Sequence, residues 1–191
     1  MVINYNGHNY FKIQAGETTI LVDPLDQRSF RGANLIINTL TPAMINVPKD
    51  GPVLIEHQGE YDAAGISVLG WTVQEKDAGE KEKTIYRIEF DDLVLILLGH
   101  ITQEPSATLL EHIKEADILF IPAGGKPFIN QTSAAKLVRE LEPGIVIPTL
   151  FSNPKLFLEE MNQEKVTAEE KLTIRKKEIK PGAMATKWLK G

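Results

Sequence analysis

The feature that most constrains this chain is a change of periodicity near its midpoint. Up to Leu98 the apolar residues fall in short runs separated by turn residues. Val2–Tyr5, Tyr10–Gln14 and Thr18–Val22 read as a β-meander, with turns at Gly16-Glu17 and at Asp23-Pro24. Leu35–Ile37 and Val53–Ile55 are short apolar strands, and proline ends regular structure at Asn38-Thr39-Leu40-Thr41-Pro42. Gly65–Leu69, Trp71–Glu75, Thr84–Phe90 and Leu93–Leu98 follow, with charged residues 76–83 between two of them and Asp91-Asp92 as a hairpin turn. Beyond that point helical spacing alternates with unbroken apolar strands. A helix starts near Pro105-Ser106 and carries Leu109, Leu110 and Ile113; a second, capped by Thr132 or Ser133, carries Ala134, Leu137, Val138 and Leu141 and stops at Pro143-Gly144. Between and after them, Ile118–Pro122 and Ile145–Pro148 are apolar throughout, the mark of strands covered on both faces. A short helix over Pro154–Met161 and a strand near Leu172–Ile174 complete the count. Strands first, then helix–strand alternation, predict two sheets packed between helices.

At 191 residues the chain is expected to form one domain, 1–191, with a core large enough to need no staples. It has no cysteine, which excludes disulfides, thiolate metal sites and a cysteine nucleophile. Metal ligands could come only from carboxylates and four histidines: His8, His57, His100 and His112. The opening MVINYNGHNY lacks a basic segment followed by an apolar one, and no run nears the roughly 20 apolar residues of a membrane span, so the expectation is a cytoplasmic protein without membrane contact. A net charge of −5 and an aromatic content of 7% with no basic-aromatic strip argue against nucleic acid. The charge is uneven: from Lys165 onward eight basic side chains face three acidic ones. That reads as a solvated strand or tail with surface lysines, or as a module that binds an acidic partner.

Several segments together resemble one family. GHNYFKIQAGETTILVDPL is similar to the opening of the metallo-β-lactamase-fold hydrolases of the ascorbate-6-phosphate-lactonase-like kind, in which G-H-S-x-F-x-I leads through a turn to a strand ending in D-P. Gly59-Glu60-Tyr61 looks like P-G-E-Y, Thr84-Ile85-Tyr86 like N-T-I-Y, and Leu97-Leu98-Gly99 like the H-L-G-D strand end. Ile121–Gly125 resembles V-P-V-G-G, and Leu141–Pro148 resembles L-x-P-x-x-x-I-P-x-H. The segments keep the family's order over most of residues 1–160. The resemblance implies an αββα sandwich, two mixed sheets flanked by helices.

The same resemblance implies zinc ligands from H-x-H-x-D-H, and here this sequence departs from the pattern. The matching segment is Thr39-Leu40-Thr41-Pro42-Ala43-Met44. Threonine hydroxyls bind zinc weakly, alanine has no donor, and methionine sulfur favours softer metals. The family's bridging aspartate falls at His100, its last histidine at Leu150, and its middle histidine at Gln74 or Glu75. The expectation is a family member that has lost its dinuclear metal site, holds no zinc cofactor, and serves as a non-catalytic binding or scaffold protein. Its ancestral pocket would be lined by His8, Asp23, Thr39, Thr41, Met44, Glu60, His100 and Leu150, with Phe151 beside them. The partner would be a small molecule or a protein, with a homo-oligomer left open.

The alternative is a hydrolase-like enzyme with a relocated single-metal site at His8, Asp23, Glu60 and His100, which the fold would place at or beside strand ends facing the pocket. Each of these residues also has a plain structural reading. His8 could bond its own loop, Asp23 is a turn residue that accepts N–H bonds, Glu60 with Tyr61 could anchor a loop, and His57 and His112 read as surface residues. Other chemistries lack a motif: there is no G-x-S-x-G elbow, P-loop or Rossmann fingerprint, and Gly124-Gly125 reads as a tight turn.

Overall fold

The computed structural model describes residues 1–43, 45–73 and 81–191. In chain order the strands of the first half are β1 (Val2–Tyr5), β2 (Phe11–Ala15), β3 (Thr18–Val22), β4 (Leu35–Ile37), β5 (Leu40–Thr41), β6 (Val53–Ile55), β7 (Gly59–Ala63), β8 (Ile66–Thr72), β9 (Glu82–Phe90) and β10 (Leu93–Leu97). Then come α1 (Ala107–His112), β11 (Ile118–Pro122), α2 (Gln131–Leu141), β12 (Ile145–Thr149), α3 (Lys155–Glu160), β13 (Leu172–Thr173) and β14 (Ala185–Thr186).

Two sheets result. The smaller has the order β13-β1-β2-β3-β4-β6, and the larger β14-β12-β11-β10-β9-β8-β7, with β5 pairing β9 beside it. The meander β1-β2-β3 is antiparallel, whereas β3, β4 and β6 run parallel, as do β10, β11, β12 and β14. Residues within a strand point alternately to its two faces, and this decides where each apolar run goes. Ile20, Val22, Leu35 and Ile37 meet Leu95, Leu97, Ile118 and Phe120 in the core between the sheets. Their neighbours Leu119, Ile121 and Val146 face outward onto Leu109 and Leu110 of α1, Leu137 and Val138 of α2, and Phe157 of α3. On the outer face of the smaller sheet, Tyr10, Leu21 and Ile36 are covered by Phe30 from the 3-10 turn Gln27–Phe30, with Leu25, Ile45 and Val47 packed around them. Among the described residues, all three α-helices therefore belong to one side of the sandwich.

The sequence reading is corrected at several elements. Glu60 lies within β7, a strand that the loop-like pattern QGEYDAAG concealed, and Trp71 continues β8 rather than opening a new strand. Asn130, not Thr132 or Ser133, caps α2: its side chain accepts a hydrogen bond from the Ser133 amide. The basic C-terminal segment is no solvated tail. Within it β13 pairs β1 of one sheet, β14 pairs β12 of the other, and Leu172, Ile174, Ile179 and Leu189 are buried in the inter-sheet core. Among the described residues, no helix is long and apolar enough to cross a membrane.

Candidate functional site

The site lies where strand ends from both sheets converge. β3 ends at Asp23 and β4, parallel to it, at Asn38-Thr39; β10 leads through Leu98-Gly99 to His100, and β12 leads to Leu150. In α/β sheets the carboxyl ends of parallel strands are where ligand crevices form. Here a cavity of about 330 Å³ opens among them, lined by His8, Asn9, Asp23, Pro24, Leu25, Asn38, Leu40, Ala43, His100, Phe128 and Leu150. That volume is at the small end of ligand pockets (~300–1,000 Å³).

A hydrogen-bonded knot forms its floor. Asp23 Oδ1 accepts from the Thr39 amide at 2.7 Å, and Oδ2 accepts from the Thr39 hydroxyl and from Asn9 Nδ2, each at 2.5 Å. Thr39 is fully buried, and its Oγ1 also meets Asn9 Nδ2 at 3.2 Å and His100 Nδ1 at 3.0 Å. The contact between the two sheets' loops depends on Gly99. Its φ is +59°, and a Cβ added there would stand 2.5 Å from the Thr39 Cβ. Only glycine lets the chain turn left-handed while passing so close to Thr39.

With Asp23 ionised, donor and acceptor counting assigns one His100 tautomer. A threonine hydroxyl has one hydrogen and two lone pairs, whereas a carboxylate only accepts. The Thr39 hydrogen goes to Asp23, so Asn9 Nδ2 and His100 Nδ1 both donate to Thr39. The neutral imidazole then carries its proton on Nδ1 and leaves Nε2 a bare acceptor. Burial holds the His100 pKa below the ordinary histidine value; Asp23 opposes this, while Lys83, Lys81 and His8 reinforce it. Burial likewise pushes the Asp23 carboxyl upward, against the pull of His100 and of the bonds from Thr39 and Asn9. The backbone at the rim is unusual too: His8, Asp23 and Leu150 all have positive φ, at 56°, 43° and 53°. The Leu150 amide donates to the His8 carbonyl at 2.8 Å, tying two of these corners together. Such left-handed non-glycine residues cost roughly 1–2 kcal/mol each and cluster at functional sites.

Of the residues expected to line the ancestral pocket, His8, Asp23, His100 and Leu150 border this cavity, and Thr39 lies beneath it. Thr41 turns its hydroxyl to the Glu56 carbonyl at 2.8 Å instead, and Glu60 is exposed on β7, outside the cavity lining. Phe151 stacks on Tyr5 at 5.7 Å and borders a neighbouring hollow. Met44, and Gln74 and Glu75 with them, lie outside the described residues. His57 and His112 are exposed, the latter stacked on Trp71 at 5.3 Å. Asn9, Asn38 and Phe128 line the cavity without having been singled out. Asn9 and Asn38 each stand beside a residue that the family pattern flags, but only the pairing of β3 with β4 brings Asp23 beside Thr39, and Phe128 reaches the site from a separate loop.

The family pattern implies a metal centre, and the donors among the described residues do not assemble one. Among the described residues, no group of three His, Asp or Glu side chains could surround a cation. Asp23, the carboxylate in the cavity lining, already accepts from three donors of its own chain. The four-residue set His8, Asp23, Glu60 and His100 is not assembled, because Glu60 stands apart from the other three.

Comparison with known proteins places the fold. A family model described as the β-lactamase superfamily domain matches residues 2–150. No curated protein sequence matches the chain. Among solved structures, a metallo-β-lactamase-superfamily protein from Thermotoga maritima superposes with a TM-score of 0.79 at 18% identity, over 98% of this chain and 97% of its own. The isothiocyanate hydrolase of Delia radicum gut bacteria gives 0.71 at 10%, over 91% and 99%. The metallo-β-lactamase fold protein YhfI of Bacillus subtilis gives 0.70 at 9%, over 99% and 95%. At these identities the likeness is one of fold. The chain thus belongs to the β-lactamase superfamily domain family, as a degenerate member in which Thr39-Leu40-Thr41 stands where the metal-binding motif would begin.

Proposed function

We propose that this protein has given up metal-dependent hydrolysis and uses the inherited cavity to bind a small molecule. The observation that carries this reading is the engagement of Asp23: its three side-chain hydrogen bonds come from Thr39 and Asn9, residues that hold the two loops together. Without a metal, water near the site is not acidified by a cation, and the family's metal-dependent route to hydrolysis is closed. The cavity itself persists, with a lining dominated by Pro24, Leu25, Leu40, Ala43, Phe128 and Leu150. Mostly apolar walls with a few placed polar groups are what small-molecule sites have in common.

The test is metal analysis of protein purified without chelator, together with calorimetric titration of Zn²⁺. The expected outcome is no stoichiometric Zn, Mn or Fe and no saturable Zn²⁺ binding. Stoichiometric metal that disappears in His100→Ala would overturn the reading and restore a single-metal hydrolase. A binding role also predicts that no ester or lactone hydrolysis survives careful removal of contaminating enzymes.

A further inference from the structure

Among the described residues, two polar groups in the cavity lack partners. Asn38 is 4% exposed and lines the cavity, yet its side-chain amide has no hydrogen-bond partner among the described residues. Neither its oxygen nor its nitrogen is a sealed, orphaned atom of the kind found at Thr149 and Thr186 Oγ1. His100 Nε2 is in the same condition: its ring lines the cavity, its other nitrogen is committed to Thr39, and nothing described bonds to Nε2. Buried polar groups normally find partners. The pattern is a recognition surface with one pure acceptor (Nε2) and one amide able to donate and accept, against an apolar wall.

The charges narrow the class of ligand. Among the described residues the lining holds the Asp23 carboxylate and no lysine or arginine, so an anion would meet repulsion inside the cavity, with Lys81 and Lys83 acting on His100 only from outside the lining. A cation gains little, since Asp23 already accepts three hydrogen bonds. Resting on the reading of the cavity as a binding site, we infer that it takes a small neutral molecule with adjoining hydrogen-bond donor and acceptor. The donor is received by His100 Nε2, the acceptor is met by the Asn38 amide, and the apolar body packs on Leu25, Leu40, Phe128 and Leu150. A primary carboxamide on a ring or short chain is the simplest group of this kind.

The experiment uses the full chain, ¹⁵N-labelled at histidine, with benzamide, benzoate and toluene as matched probes. In the free protein the His100 resonances should report a proton on Nδ1 and a bare Nε2. Benzamide should shift Nε2 toward a hydrogen-bonded value and bind about tenfold more tightly than toluene, the effect of one good hydrogen bond. His100→Phe keeps a ring in place and should bring the affinity for benzamide down to that for toluene measured on the same variant. Equal binding of benzamide and toluene to the wild type would overturn the inference while leaving an apolar binding cavity intact. Tighter binding of benzoate, or a proton found on Nε2, would also overturn it. If none of the three binds, the inference and the binding role fall together.

Discussion

Thr39 is the residue on which the site turns. Its hydroxyl donates to Asp23 and accepts from Asn9 and His100, and it is wholly buried. Thr39→Val preserves shape but strips three partners at once, so we expect a loss of about 1–3 kcal/mol in urea denaturation. Thr39→Ser should restore most of it. His100 carries a pH signature whose sign follows from burial. Its folded pKa lies below the unfolded value of 6.5, so the unfolded chain takes up the proton first as the solution is acidified. The stability that His100 contributes is complete above that value and is lost as pH falls through it toward the lower folded pKa. Denaturation curves collected from about pH 8 to about pH 5 should show that decline, and His100→Phe should flatten it. Asp23 has the opposite sign: with its folded pKa raised above 3.8, its contribution is present below that value and is lost as pH rises through the folded one.

At the scale of elements, the strand ends matter more than the strands. The loop after β10 approaches the loop after β4 only because position 99 has no side chain, where a Cβ would meet the Thr39 Cβ at 2.5 Å with φ at +59°. Gly99→Ala should cost more than its propensity, roughly 1–3 kcal/mol, and should separate His100 from Thr39. The check is the His100 Nδ1 proton resonance, which should broaden or vanish as its bond to Thr39 is lost. Helix α2 offers a contrast far from the cavity. Asn130→Ala removes the bond to the Ser133 amide and should cost about 1 kcal/mol in a thermal melt without altering ligand or metal behaviour. These same elements show how unevenly the sequence could be read. Runs such as Leu35–Ile37, Ile118–Pro122 and Ile145–Thr149 are unmistakable because every residue is apolar and both faces are covered. β7 is not, because Gly59, Glu60 and Asp62 are exposed on the edge of the larger sheet and follow no apolar alternation. Asn130 was passed over as a cap because Thr132 and Ser133 are equally good cap residues by type; local geometry chose among them.

Over the whole molecule, the segment from Lys165 is what joins the two sheets at their far edges. β13 extends the smaller sheet, β14 extends the larger, and Lys176 pairs with the buried Asp117 at 2.6 Å, whose same oxygen also accepts from the Val94 amide. Its positive charge looked like a free tail because the lysines outnumber the buried Leu172, Ile174, Ile179 and Leu189. Truncation after Gln163 should therefore abolish cooperative unfolding rather than merely release a partner, as near-UV circular dichroism would show. The residues themselves determined the two-sheet layering, the family, and the absence of the motif's ligand types, since apolar periodicity and side-chain chemistry are local properties. Only the tertiary structure decided that Asp23, Thr39 and His100 form one bonded knot, that Glu60 stands outside it, and that Asn38 and His100 line one cavity. Those facts depend on which strand ends meet across two sheets, and contacts between residues so far apart in the chain leave no trace in the sequence around any one of them.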